Sequence, residues 1–490
     1  MRRLSLLALI LLAPLLAAPA AAAAKLPRDV QRITYRYPID LRPGTNLIQV
    51  RFGVPKPAVN GYIVRFKPNL VRRDGSVPPT DEIHLHHAVW LSTGATGPTN
   101  PNLYEIFAAS GEEKTIVTLP RPYGYPVRST DRWILNDMIH DLTNRGMRLY
   151  LTWTVDFVPA ASALGRRLRP VRIAWMDVMR GNVYPVFDVL RGSGTRGRFT
   201  FPDQQPDAYG GGERLNQWTV DRPGTLVGCY GHVHPGGLHT DLRVRRGGRS
   251  RLLFRSQAKY FGNRPPVSWD MAMTRTPRDW RVRVRPGDVL SVHATYESRR
   301  ASWYESMGIM PCALAADATG RDPFASRIAT RGPITHGHLP ENDDFGGRRT
   351  GIPDPTRLPN GVSPSDGRVP IGGFRYRLGD LNGVGASRNP PVVAAGSSLE
   401  FVNKDTGRNV FHTVTGCRAP CNLSTGVGYP LANGARFDSG NLGFGPRGFT
   451  AAANRDSWRT PANLSPGTYA YLCRQHPYMR GAFRVVPVKR

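Results

Sequence analysis

The stretch YLCRQHPYMRGAF, Tyr471–Phe483, places three types of metal-ligating side chain at equal spacing. Cys473 supplies a thiol, His476 an imidazole and Met479 a thioether. The flanking segments GTYAYLC and GAFRVVPV are rich in aromatic and β-branched residues and are bounded by Gly and Pro, which is typical of strands. The stretch therefore predicts the last hairpin of a β-sheet, with a metal-binding loop at its turn.

A fourth ligand is expected from elsewhere in the same part of the chain. Two His and one Cys in a trigonal arrangement, with a weak axial Met, form the ligand set of blue-copper electron-transfer centres. His412 is the only other His after Pro390, and it lies on a different predicted strand. The predicted ligands of a type 1 copper are therefore His412, Cys473, His476 and Met479.

These residues and their flanking strands resemble the cupredoxins, small type 1 copper proteins of the amicyanin and pseudoazurin kind. The Cys-x2-His-x2-Met spacing, with Pro477 after the His and Gly481 shortly after the Met, is most similar to amicyanin. The resemblance covers residues 370–490. It implies a Greek-key β-sandwich that transfers electrons to or from a redox partner protein or a small reductant.

The alternative for the same loop is a zinc site that recruits Cys417 and Cys421. That site would leave Met479 without a role. In an oxidising compartment, Cys417 and Cys421 are more simply explained as a local disulfide. The chain has five Cys, so one thiol is left over, and a copper ligand at Cys473 accounts for it.

Composition indicates an exported protein with several domains. The chain has 490 residues, more than one hydrophobic core usually holds. Residues 1–24 combine two Arg, an apolar run and an Ala tract, which is typical of a secretory signal peptide and predicts a secreted, periplasmic or cell-envelope protein. No later segment resembles a membrane-spanning helix. The net charge of +30 is spread along the chain without a recognition module, so no nucleic-acid partner is predicted.

Short alternating segments, such as LIQVRFGV and RLYLTWTVDFVP, recur along the chain and are closed by Gly or Pro. This pattern predicts an all-β protein. A Gly-rich stretch near residues 190–213 and a Pro/Gly/Asp-rich stretch that begins near residue 331 suggest boundaries. We expect two tandem jelly-roll-like β-sandwich domains at 25–200 and 201–330, a linker at 331–369, and the Greek-key cupredoxin β-sandwich at 370–490.

Most remaining His residues are clustered. HLHHAVW contains His84, His86 and His87, and ILNDMIHDL contains His140, while GHVHPGG contains His232 and His234. Strand residues two positions apart share a face, so the His-x-His imidazoles can reach one metal. Adjacent strand residues point to opposite faces, so a His-His pair needs a bulge or a strand end. The remaining His239, His336 and His338 are interpreted as loop residues.

These clusters resemble the copper type II ascorbate-dependent monooxygenases, the peptidylglycine α-hydroxylating and dopamine β-hydroxylating enzymes, whose two β-sandwich domains each bind a copper. The resemblance implies one copper at His86, His87 and His140. It implies a second at His232, His234 and Met307, with Met310 as the alternative to Met307, and a disulfide between Cys229 and Cys312. In that family an Arg clamps the peptide carboxylate, and Tyr230 stands at its position here. The Tyr that the family has four positions after the Met is replaced by Pro311. The peptide or catecholamine substrate therefore does not carry over.

The leading hypothesis is a secreted copper protein in which a type 1 copper domain supplies electrons to a monooxygenase-like module. That module would hydroxylate an unknown small molecule or peptide with O2. His232, His234 and Met307 would hold the O2-binding copper, and the other copper would supply the second electron. The alternative is a non-catalytic copper protein, either an envelope electron shuttle or a copper carrier or storage protein.

Overall fold

The computed structural model describes most of the chain, and strands dominate it. The described residues are 26–45, 47–79, 82–180, 185–261, 271–299, 302–337, 353–358, 361–362, 364, 366–408, 410–417, 421, 437–443, 456–476 and 478–488. They contain 30 strands, a few short 3-10 turns and no α-helix, which confirms the predicted all-β class. The predicted signal peptide and His338 lie outside the described residues.

The first sandwich unit consists of a sheet ordered β2-β8-β4-β5 that faces strands β1, β9, β3, β6 and β7. Its strands are β1 (Gln31–Leu41), β2 (Ile48–Val54), β3 (Gly61–Val71), β4 (Ile83–Thr96), β5 (Tyr104–Ser110), β6 (Val117–Thr118), β7 (Tyr123–Val127), β8 (Trp133–Asp141) and β9 (Met147–Pro159). β9 shows why these segments are strands. Its Leu149, Leu151, Trp153, Val155 and Phe157 are buried at every second position.

The second sandwich unit shares a sheet with the first. That sheet runs β1-β9-β3-β7-β10-β23-β14-β19, and a second sheet, β12-β20-β16-β17-β18, covers its later strands. The strands are β10 (Arg169–Ala174), β11 (Phe187–Val189), β12 (Arg198–Phe201), β13 (Gln217–Thr219), β14 (Gly224–Cys229), β15 (His232–Val233), β16 (Gly237–Arg246), β17 (Arg249–Tyr260), β18 (Met271–Met273), β19 (Val282–Val284), β20 (Val289–Glu297), β21 (Trp303–Ser306), β22 (Gly308–Ile309) and β23 (Cys312–Ala315).

The C-terminal unit has two sheets, β24-β26-β28 and β25-β30-β29-β27. Its strands are β24 (Arg368–Ile371), β25 (Val392–Ala394), β26 (Glu400–Asn403), β27 (Thr415–Cys417), β28 (Ser457–Arg459), β29 (Gly467–Leu472) and β30 (Arg480–Val486). β29 and β30 are antiparallel neighbours, so the segment between them forms the turn of a hairpin. This is the hairpin that the opening stretch predicts.

Each unit has its own hydrophobic core. The first core includes Trp90, Trp133 and Trp153, and the C-terminal core includes Phe401 and Tyr471. The second core includes Ala174, Met176, Val178, Phe187 and Val189, so these side chains pack with the second unit. The domain boundaries proposed from composition stay predictions. In the described part of the chain, no helix is long and apolar enough to cross a bilayer.

Both predicted disulfides are present. Cys229 and Cys312 face each other on β14 and β23, and Cys417 is bonded to Cys421. Cys473 is a free, buried thiol. The first disulfide crosses the sheet that connects the two N-terminal units, next to the strand that carries His232.

We predict that replacing Cys229 and Cys312 together by Ala lowers the free energy of unfolding by about 2–5 kcal/mol, because that bond closes a long loop. The bridged residues are 83 positions apart, against 4 for Cys417 and Cys421. The same replacement at Cys417 and Cys421 is the control, with an expected loss of at most about 2 kcal/mol. Chemical unfolding measures both, and an equal or larger loss in the control contradicts the prediction.

Candidate metal centres

Three donor atoms meet at the end of β29 in the C-terminal unit. Cys473 Sγ lies 3.8 Å from His412 Nδ1 and 3.6 Å from His476 Nδ1, and the two nitrogens are 3.2 Å apart. All three side chains are buried. A metal with bonds of about 2.0 Å to nitrogen and 2.3 Å to sulfur in a trigonal plane needs nitrogen–nitrogen and nitrogen–sulfur separations of about 3.5 and 3.7 Å. The three donors therefore fit one metal ion.

The hairpin turn is held closed by its own backbone. The Met479 amide donates to the His476 carbonyl at 2.8 Å, and the Cys473 amide donates to the Met479 carbonyl at 3.0 Å. Met479 is buried in the same core as Cys473. These bonds close the turn, so that Cys473 and Met479 lie next to each other at its base, with His476 between them in the chain.

Neighbouring groups set the protonation of these ligands. Asp405 Oδ2 accepts from His412 Nε2 at 3.0 Å, so the Nδ1 lone pair of His412 faces the other donors. The Thr413 amide donates to Cys473 Sγ at 3.3 Å. Burial alone would raise the pKa of Cys473, but the adjacent imidazoles of His412 and His476 hold that pKa well below its ordinary value. The sulfur is therefore poised as a thiolate, the form that binds metals.

The first sandwich unit presents its histidines on β4 and β8. His84 lies opposite His140, and the register shifts between Leu85 and His87. This irregularity meets the condition for His86 and His87 to turn toward one another, and their Nδ1 atoms are 3.3 Å apart. His87 Nε2 donates to Asn136 Oδ1 at 3.0 Å, which fixes the ring with its Nδ1 toward His86.

The second unit contributes His232 and His234, both buried at β15. His232 Nδ1 donates to Glu113 Oε1 at 3.0 Å, and His234 Nδ1 donates to the Glu305 carbonyl at 2.5 Å. Burial raises the pKa of Glu113, but the facing His232 lowers it below its usual value, so the carboxylate is ionised. Both imidazoles therefore present Nε2 as the metal-binding nitrogen.

The histidines of the two units meet in one cluster. The ring centroids of His86 and His234 are 4.2 Å apart, and those of His86 and His140 are 4.6 Å apart. The sequence assigned His86 and His234 to two different copper sites, and in the structure their rings are in contact. Donor atoms of His86, His140 and Glu305 lie within 4.8 Å of one another. We call His84, His86, His87, His140, His232 and His234 the histidine cluster.

Burial keeps four rings of the histidine cluster neutral. It lowers the pKa of His87 to about 4 and that of His140 to about 3, and in both cases neighbouring imidazoles add to the effect. Burial also lowers the pKa values of His86 and His234 well below the ordinary value. A neutral imidazole is the form that coordinates a metal, so these four rings are ready to bind one at neutral pH.

The two candidate methionines have different surroundings. Met307 packs with Met138 and Ile309 in a small apolar group between the first and second units. Met310 is buried in the core of the second unit. Glu305, two positions before Met307, was not predicted as a site residue. The signal was present in SWYESMGIM, where a carboxylate and a thioether stand two residues apart near a strand end.

The C-terminal unit contacts the histidine cluster through His476. Its imidazole donates to the Gly44 carbonyl, and a Cβ at Gly44 would lie 3.1 Å from His476 Nε2. The next carbonyl, that of Thr45, accepts from the Asp141 amide at 2.8 Å. The charge of His476 also contributes to the lowered pKa of His140. The thiolate-containing site therefore lies beside the cluster.

A cleft of about 740 Å³ lies close to the histidine cluster. It includes Tyr230 and Pro311, and both residues also line a small pocket beside His87 and His232. Four Arg side chains line the larger cleft: Arg121, Arg275, Arg278 and Arg281. With Asp279 as the acidic residue of this lining, the cleft is basic in balance, and it shares Tyr230 and Pro311 with the small pocket at His87 and His232.

Comparisons with known proteins gave matches only among solved structures. No family model matches the chain, and no curated protein matches it. A mutant of amicyanin in its Cu(I) form matches with 17% identity and a TM-score of 0.15, covering 27% of this chain and 90% of that chain. A Cu-containing nitrite reductase from Thermus scotoductus matches with 13% identity and a TM-score of 0.16, covering 82% of this chain and 87% of that chain. We take the function from the geometry of the metal centres.

Proposed function

We propose that the chain is an exported copper electron-transfer protein with two kinds of metal centre. His412, Cys473, His476 and Met479 would hold a type 1 copper. The histidine cluster would hold the metal with which this centre exchanges electrons. The observation that carries the proposal is the buried triangle of two Nδ1 atoms and one Sγ, with 3.2, 3.6 and 3.8 Å between its corners.

The donor set favours copper over zinc. A thiolate and a thioether suit Cu(I), and imidazole suits both oxidation states, whereas a zinc site would have no use for Met479. A copper ion held by these residues would supply one-electron chemistry between Cu(II) and Cu(I). Cys417 and Cys421 are joined in a disulfide, so they do not offer the thiolates that the zinc alternative requires.

The chain's own residues keep the donors in place. Asp405 fixes the ring of His412, and the Thr413 amide fixes the Cys473 sulfur. The core packs around Cys473 and Met479. Because burial and hydrogen bonds define the donor positions, little has to move when the charge of the site changes. Small reorganisation favours fast electron transfer.

A short covalent and hydrogen-bonded path leads from His476 to the histidine cluster. It passes from the His476 imidazole to the Gly44 carbonyl, along the chain to Thr45, across to the Asp141 amide, and then to the adjoining His140. This path supports the electron exchange between the two centres.

A monooxygenase activity of the N-terminal units is the second candidate function, and the basic cleft favours it. The cleft could admit a substrate toward His87 and His232, and the positive charge of its four Arg side chains suits an acidic one. In that function, His232, His234 and Met307 would hold the O2-binding copper, as the family resemblance implies. Copper transport or storage is the non-catalytic alternative.

The visible absorption spectrum of the copper-loaded protein tests the type 1 assignment. Cu(II)-loaded protein should show an intense thiolate-to-copper charge-transfer band in the visible, because the Cys473 sulfur is a thiolate among two imidazoles. Cys473→Ser should abolish the band, and Gln475→Ala, a change in the same loop at a side chain bonded to Asn441, should retain it. A colourless Cu(II) form of the unmodified protein contradicts the type 1 assignment.

The second prediction concerns copper content. The unmodified protein should bind more than one copper per chain with only one of them blue, and Cys473→Ser should remove the blue copper while the non-blue copper stays bound. Elemental analysis after dialysis measures this. One copper per chain would support a simple shuttle, and many weakly held copper ions would support storage. Either result contradicts the two-centre proposal.

The third prediction concerns the connecting path. Gly44→Ala should slow electron exchange between the centres at least 10-fold, because a Cβ there would lie 2.1 Å from Phe374 Cε1 and push the C-terminal unit away. Gly53→Ala is the matched control, since Gly53 has a similar backbone φ of +67° but nothing within 4 Å. Stopped-flow decay of the blue band gives the rate. Equal rates in both variants would exclude the path.

A further inference from the structure

Glu305 is held in an unusual position between the two N-terminal units. It lies on β21, its φ is +56°, and its side chain is only 3% exposed. A non-glycine residue persists in this region only where the surroundings hold it. The β21–β11 pairing on one side and the His234 bond to the Glu305 carbonyl on the other supply that restraint.

The carboxylate of Glu305 faces two imidazoles of the other unit. Its donor atoms and those of His86 and His140 lie within 4.8 Å of one another, and all three side chains are buried. His140 Nε2 is buried and has no hydrogen-bond partner in the described part of the chain. A buried polar nitrogen in this state destabilises the fold, and a bound cation would remove that penalty.

We propose that His86, His140 and Glu305 bind one divalent transition-metal ion at the interface of the first and second sandwich units. The carboxylate of Glu305 replaces the thioether of Met307 as the ligand from the second unit. This inference rests on the proposed function, because it defines the metal site of the histidine cluster. The proposed site differs from the two sites predicted from the sequence, because it combines ligands from both units in one site.

The ligand chemistry narrows the choice of metal. Two imidazoles and one carboxylate, with positions left open, suit Cu(II), Zn(II) or Fe(II), whereas a thioether in place of the carboxylate would favour Cu(I). His234 is a positioning residue in this arrangement. Its Nδ1–H holds the Glu305 backbone, and its ring lies 4.2 Å from that of His86. His87 and His232 are oriented by Asn136 and Glu113 on the side of the cluster nearest the cleft.

A metal at this site would link the two N-terminal units, because His86 and His140 come from β4 and β8 whereas Glu305 comes from β21. A ligand that binds only the folded state raises stability in proportion to the logarithm of its concentration above its Kd. Cu(II) should therefore raise the melting temperature of the N-terminal units, in addition to any effect at Cys473.

The test compares two substitutions two residues apart in the full-length chain that carries Cys473→Ser, so that only non-blue metal is counted. Cu(II) alone is the probe, and the readouts are bound copper per chain, the Cu(II) electron paramagnetic resonance spectrum and the melting temperature. Glu305→Gln should weaken binding at least 10-fold and remove the copper-dependent rise in melting temperature. Met307→Leu, which removes the ligand of the rival assignment, should keep both.

The inference is wrong if Met307→Leu loses the metal while Glu305→Gln keeps it, or if both variants keep it. If Glu305→Gln does not fold, X-ray absorption of the copper-loaded Cys473→Ser, Met479→Leu chain decides the question. A copper surrounded by nitrogen and oxygen atoms alone agrees with Glu305 as the ligand. A sulfur atom bound to the copper points to Met307 and overturns the proposal. Failure of the proposed function is separate, because it appears as a missing blue band in the protein with Cys473 intact.

Discussion

The free energy of burying imidazole nitrogens is the constraint on which the account depends. Seven of the eight histidines at the two metal centres are less than 7% exposed, and the eighth, His232, is 7% exposed. Burial keeps His86, His87, His140 and His234 uncharged. Each buried nitrogen then needs a donor, an acceptor or a metal. Asp405, Asn136, Glu113 and the Glu305 carbonyl bind one nitrogen each on four of these rings. Ligand atoms converge at two places, at His412, Cys473 and His476 and at His86, His140 and Glu305, and a metal ion is a partner that suits both.

The site at Cys473 and the histidine cluster lie close together in space, at the contact between the C-terminal unit and the first unit. His476 belongs to the thiolate-containing triangle, and its outer nitrogen donates to Gly44 beside the strand that ends after His140. A glycine is needed at position 44, since a side chain would collide with Phe374 and crowd His476. The close approach of the C-terminal unit to the first unit thus depends on the missing Cβ of one residue.

Sequence reasoning predicted the parts governed by local pattern. The all-β class, the hairpin that carries Cys473 and the need for an irregularity at His86–His87 follow from alternation and turn residues. Glu305 and the contact of His86 with His234 could not be predicted, because they depend on how two sandwiches pack over a long sheet. The role of Gly44 could not be predicted from the sequence. A glycine required for close packing of another unit looks the same in the sequence as any loop glycine. The ligand roles of Met307 and the other site residues stay predictions.

Copper-edge anomalous diffraction from crystals of the copper-loaded, full-length protein tests the central claim most directly. The account predicts one anomalous peak bounded by His412, Cys473 and His476, and another among the histidines of the first and second units. A peak in the C-terminal triangle at the zinc edge instead of the copper edge, or no peak there at all, would contradict it.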